Sequence, residues 1–154
     1  MHDHCQHVAE VPLGARRIVL AGNPNVGKSV FFNALTGMYV DVSNYPGTTV
    51  EVSSGRFGPD VLFDTPGIYG VSSFNDEERV ARDVILTADV VVNVVDAVHL
   101  DRDLFLTLQI IDMGIPVVIA LNMMAEVRAH GLEIDVKLLS EILVGTPGSP
   151  LWQA

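Results

Sequence analysis

Gly22-Asn23-Pro24-Asn25-Val26-Gly27-Lys28-Ser29 decides how the chain is read. It fits G-x-x-x-x-G-K-[ST], a phosphate-binding loop (P-loop), a pattern with meaning only between a strand and a helix. Both neighbours have that character. Arg17-Ile18-Val19-Leu20-Ala21 predicts a short buried strand, and Ser29-Val30-Phe31-Phe32-Asn33-Ala34-Leu35 predicts a helix with an apolar face. Glycine lets a backbone approach phosphate oxygens and adopt positive φ. Successive N–H groups then converge as an anion nest at a helix N-terminus. In that arrangement Lys28 reaches the β- and γ-phosphates of a nucleotide, and the Ser29 hydroxyl ligates Mg²⁺.

Working outward, Met38 to Thr49 carries Ser43, Asn44, Pro46 and Gly47 with little periodicity and reads as a mobile loop. It ends at Thr48-Thr49, just before Val50-Glu51-Val52, which reads as an edge strand. In nucleotide switches a loop threonine here completes the Mg²⁺ shell and senses the γ-phosphate. Val61-Leu62-Phe63 is a second short apolar strand, ending in Asp64-Thr65-Pro66-Gly67. An acid at such a strand end holds Mg²⁺ through water, and the Gly67 N–H bonds a γ-phosphate. Ile68 to Asn75 reads as a second mobile loop, and Asp76-Glu77-Glu78 opens a helix to about Leu86 with acids that suit its dipole.

Asp89 to Asp96 holds the β-branched run of a central parallel strand. Leu100 to Met113 has apolar residues at helical spacing, Gly114 reads as its cap, and Ile115 to Leu121 is another buried strand ending at Asn122. Met123 to His130 and Asp135 to Leu143 read as short helices, after which Gly145 to Pro150 breaks the pattern. Strands alternating with helices give the α/β class, a mostly parallel sheet with helices on both faces. Ligands of such folds sit at the carboxyl ends of the strands, where the P-loop, Thr49, Asp64 and Asn122 all fall.

A chain of 154 residues with 49% hydrophobic content supports one domain with a real core. A net charge of −10 argues against a nucleic-acid partner, which rewards a basic surface. Cys5 is the only cysteine, so no disulfide framework is expected and a reducing, cytoplasmic setting fits. No apolar run approaches the roughly 18 residues of a membrane span, and no secretory leader pattern is read. Residues 1–15 read as a flexible arm holding His2, His4, Cys5 and His7. Those types suit borderline metals, but a His-rich tail without a ligand is the favoured reading. The expected organisation is this arm, a domain over 16–144 and an irregular tail over 145–154.

The assembled residues resemble the cytoplasmic G domain of the ferrous iron transport protein B family, FeoB, within the Ras-like GTPases. The matching words are the P-loop, Pro46-Gly47-Thr48-Thr49-Val50-Glu51, Asp64-Thr65-Pro66-Gly67-Ile68-Tyr69 and Val95-Asp96-Ala97 with Leu100-Asp101-Arg102-Asp103-Leu104. Gly114-Ile115-Pro116-Val117-Val118-Ile119-Ala120-Leu121-Asn122-Met123-Met124 completes them. The resemblance implies a Ras-like P-loop GTPase fold and hydrolysis of GTP to GDP with Mg²⁺, coupled to a membrane permease for ferrous iron. It places the nucleotide on Gly22, Asn23, Pro24, Asn25, Val26, Gly27, Lys28, Ser29, Val30, Gly47, Thr48, Thr49, Asp64, Thr65, Pro66, Gly67, Asn122 and Met123. Ser29, Thr49 and Asp64 would hold Mg²⁺, Asn25 falls where potassium-using members place a K⁺ ligand, and catalysis would rest on Lys28, Thr49 and Gly67. Ile68 stands where many GTPases carry a water-orienting glutamine.

Three departures bear on function. The base-reading pattern N-x-x-D reads Asn122-Met123-Met124-Ala125, without its acid. The final strand and Ser-Ala loop of the fold are not recognisable in Gly145 to Ala154, so a C-terminally incomplete fold is expected. The helical and transmembrane parts of the family are not in this sequence.

Overall fold

Ile18 and Leu20 face one side of the first strand, Val19 and Ala21 the other, and all four are buried. That two-sided burial marks a central strand. The computed structural model describes residues 9–37, 40–72 and 74–144. The strand, β1 (Arg17–Gly22), is followed by α1 (Lys28–Thr36), β2 (Val40–Asn44), β3 (Glu51–Phe57) and β4 (Asp60–Asp64). Then come α2 (Asp76–Leu86), β5 (Val90–Asp96), α3 (Leu100–Asp112), β6 (Val117–Asn122), α4 (Met124–Ala129) and α5 (Val136–Val144), with a 3₁₀ turn over Ala97–His99 before α3.

The strands form one sheet in the order β2-β3-β4-β1-β5-β6. The pairs β1–β4, β1–β5 and β5–β6 are parallel, whereas β2–β3 and β3–β4 are antiparallel. On one face Val19, Ala21, Phe63 and Val91 pack with Val80, Val84 and Ile85 of α2 and with Leu106 and Ile110 of α3. On the other, Ile18, Leu20, Leu62 and Val94 pack with Val26 and with Phe32 of α1. Helices therefore cover both faces, as the alternation of elements predicts.

Two local expectations are corrected. Val40–Asn44, inside the stretch read as a loop, is the antiparallel edge strand β2, paired from Val40↔Gly55 to Asn44↔Glu51. It has almost no buried side and Val42 is 57% exposed. Backbone pairing holds it, and hydrophobic patterning cannot reveal such a strand. The segment beginning at Val50 is accordingly internal, since β3 lies between β2 and β4.

The helix α2 begins as its sequence dictates. Asn75 caps it by accepting from the Glu78 N–H at 2.8 Å, and the Glu78 carboxylate accepts from the Phe74 N–H at 3.0 Å and the Ser72 hydroxyl at 2.9 Å. This ties the end of the second predicted loop, Ile68 to Asn75, to the helix. Ala9 and Val11, in the stretch read as an arm, pack against the apolar core that includes Val52, Val61 and Phe63. His2, His4, Cys5, His7 and the 145–154 tail lie outside the described residues.

Candidate functional site

The carboxyl ends of β1, β4, β5 and β6 converge on the loop between β1 and α1. Gly27 caps α1 with φ +90°, a conformation natural to glycine, and a Cβ there would fall 2.5 Å from the Asn122 side-chain nitrogen. Asn122, at the end of β6, donates to the Val26 carbonyl at 2.8 Å. The predicted base-side residue thus buttresses the loop. Asn25 adopts φ +63° and is exposed, as are Ser29 and Val30 on the first turn of α1.

Lys28 is buried, and its ammonium meets the Asp64 carboxylate at the end of β4. Burial pushes the Asp64 carboxyl up from its ordinary value, and the Lys28 charge and hydrogen bond pull it back. The segment that follows β4 is seated on β1. The Ile68 N–H donates to the Gly22 carbonyl at 3.0 Å, and the Thr65 hydroxyl to the Leu20 carbonyl at 2.8 Å. Gly67 lies so close to the loop that a Cβ would fall 2.8 Å from Pro24 Cα.

Lys28, Asp64, Gly67 and Asn122 are therefore gathered around one loop. The other predicted residues divide. Val26 and Thr65 are buried and offer a ligand only backbone, and Pro66 is half-buried beside them. The Asn23 amide turns inward and donates to Asp103. Gly47 and Thr49 are exposed on the β2–β3 connection, where Thr48 closes a turn on the Tyr45 carbonyl, at 3.0 Å from its N–H and 2.9 Å from its hydroxyl. Among the described residues no hydrogen bond joins Thr49 to the P-loop. Met123 takes φ +62° ahead of α4, and Ala125 is exposed on that helix. Ile68 is 2% exposed and belongs to the core. Asp103 is the partner that motif reading missed. An acid in a first helical turn reads as a solvated dipole partner, so the only signal was its place in Leu100-Asp101-Arg102-Asp103-Leu104.

The site offers an anion the N-terminus of a nine-residue helix and one ammonium. It offers a hard cation the Ser29 hydroxyl and the Asp64 carboxylate, the oxygen donors that Mg²⁺ takes. The residues present fit both.

The family model for ferrous iron transport protein B matches residues 16–147. The chain is 43% identical over 141 residues to the Fe(2+) transport protein A/Fe(2+) transporter FeoB fusion protein of Porphyromonas gingivalis, covering 87% of this chain and 17% of that protein. It is 44% identical over 137 residues to the Fe(2+) transporter FeoB of Legionella pneumophila, covering 81% of this chain and 18% of that protein. The crystal structure of a point mutant of S. thermophilus NFeoB bound to mGDP superposes with a TM-score of 0.79 at 46% identity, covering 82% of this chain and 51% of that one. The chain thus spans under a fifth of the length of the transporters it matches. Fold, P-loop geometry and sequence agree: the chain belongs to the ferrous iron transport protein B family and has the P-loop GTPase fold of that family's G domain.

Proposed function

We propose that this chain binds guanine nucleotide and hydrolyses GTP to GDP and phosphate with Mg²⁺, as the cytoplasmic G domain serving a membrane permease for ferrous iron. The observation that best supports this is the meeting of Lys28 and Asp64 beside a glycine-capped helix N-terminus. The loop N–H groups and Lys28 would cradle the β- and γ-phosphates. Ser29, Asp64 and Thr49 would hold Mg²⁺, which supplies charge neutralisation on the phosphate oxygens when bound. Water attacks the γ-phosphorus as the bond to the bridging oxygen breaks, and Lys28 and the helix N-terminus stabilise the charge left on GDP.

The Gly67 N–H would bond the γ-phosphate, and Thr49 would turn inward to join it. The buried, apolar Ile68 cannot orient the attacking water by hydrogen bonding. That task would fall to backbone groups, while Asn25 would hold a K⁺ ion supplying positive charge beside the phosphates, so phosphate release should be faster in K⁺ than in Na⁺. Asn25→Ala should abolish the difference.

Ala125 sets the selectivity. Guanine presents two adjacent donors, and a carboxylate accepts both in charge-assisted bonds of about 1.5–3 kcal/mol each. Ala125 has no acceptor. GDP and ADP should therefore bind this chain within about tenfold of each other, and Ala125→Asp should raise GDP affinity alone. Calorimetric titration of both nucleotides into both proteins tests this, and tight guanine-selective binding by the parent overturns it. Ala125 also favours a second reading, a nucleotide-binding module without turnover. Phosphate release from GTP separates the two.

A further inference from the structure

Leu100 to Leu104 has no role in the reading above, yet it contains a carboxylate that is 1% exposed, that of Asp103. Its Oδ1 accepts from Asn23 Nδ2 and from Arg102 Nε, both at 2.8 Å, and its Oδ2 accepts from the Asp96 N–H at 2.8 Å. A buried carboxylate is costly unless paired and fully bonded, and an apolar side chain of similar size would pack α3 at least as well. What an apolar side chain would not do is hold Asn23.

Asn23 is the second residue of the P-loop and is 2% exposed. Its amide nitrogen donates to Asp103, while its buried Oδ1 has no hydrogen-bond partner. The next residue, Pro24, is the one against which Gly67 is seated. A shift at Asn23 is therefore passed along the loop and to the second switch together.

We propose that Asp103 is a positioning residue for nucleotide binding: through Asn23, its buried carboxylate fixes the path of the loop from Gly22 to Gly27. The proposal rests on the phosphate-site reading above. Convergent N–H groups lose their hold on phosphate when the loop that carries them moves by about half an ångström. Without Asp103, neither end of the Asn23 amide is satisfied in the interior, and the side chain turns toward water with the loop following.

The test is titration of the whole chain, in Mg²⁺, with a fluorescent GDP analogue, alongside thermal unfolding. The variants are Asp103→Ala, Asp103→Asn, Asn23→Ala, the Asn23→Ala/Asp103→Ala pair and Ile110→Ala. Ile110 is a fully buried α3 residue of the apolar core, and its truncation lowers stability without touching the loop. Asp103→Ala and Asn23→Ala should each weaken GDP binding by about tenfold or more, equivalent to about 1.4 kcal/mol. The pair should be no weaker than the singles by more than about threefold, because both remove one bond. Asp103→Asn keeps an oxygen facing Asn23 and should stay within about threefold of the parent. Ile110→Ala should lower the unfolding temperature and leave affinity in that same range.

Folded Asn23→Ala binding GDP like the parent overturns the proposal, and this variant decides the matter even where Asp103→Ala does not fold. Ile110→Ala weakening GDP as much as Asp103→Ala overturns it too, since lost stability would then account for the effect. A parent chain that does not bind GDP overturns the phosphate-site reading itself, and the proposal with it.

Discussion

Lys28 sits at the first turn of α1 with only 9% of its surface exposed, facing the Asp64 carboxylate. Lys28→Ala removes the cation proposed to face the phosphates and leaves a carboxylate there instead, so GDP binding should vanish in calorimetry. Retained binding would mean that the loop is not the phosphate site. At the opposite end of the sheet, Asp60 takes three hydrogen bonds from Arg16, one from its backbone N–H at 2.8 Å and two from its guanidinium at 3.0 and 2.8 Å. These bonds hold the Asp60 carboxyl below its ordinary value. The clamp's contribution to stability is then complete above the unfolded carboxyl's pKa of about 3.9 and is lost as pH falls through the lower folded value. Thermal unfolding of Asp60→Asn should accordingly fall less steeply with acid than that of the parent. At this scale the sequence made legible which positions gather at the loop, because a motif fixes residue types at set spacing: Lys28 meets Asp64, and Asn122 reaches the Val26 carbonyl. The Asn23–Asp103 bond was not legible, because its partners lie eighty positions apart and only the folded sheet brings them together.

Elements were legible where an apolar face is buried. β1, β4, β5, α2 and α3 fall within a residue or two of their predicted limits. β2 was missed because its Val40-Asp41-Val42-Ser43-Asn44 alternation buries nothing, and alternation without burial is a weak signal. The element that matters most to the site is the turn after β4, where Gly67 rests on Pro24. A methyl group at 67 would meet Pro24 Cα at 2.8 Å and its nitrogen at 3.0 Å, both backbone atoms that cannot swing aside. Gly67→Ala should therefore lower unfolding free energy in urea by about 1–3 kcal/mol, the usual cost of overpacking. An unchanged midpoint would show that loop and switch separate freely.

For the whole molecule, the alternation of strands and helices predicted the parallel half of the sheet. The antiparallel half follows from connection length. Only Gly58 and Pro59 separate β3 from β4, and a parallel crossover needs about a dozen residues or more. The same architecture leaves β6 with every residue half-exposed, and among the described residues no strand pairs with its outer edge. A row of outward-facing amides and carbonyls on a mostly apolar strand is a template for another strand. What opposes that template is the net charge of −10, which drives copies apart. The two forces respond differently to salt, because repulsion is screened within about 8 Å at physiological ionic strength while backbone pairing is not. Solutions of this chain should thus behave as a charge-stabilised colloid, clear in dilute buffer and scattering light increasingly as sodium chloride is added, and Ile119→Glu, which adds to the negative charge and places it on the edge strand, should move that threshold to higher salt.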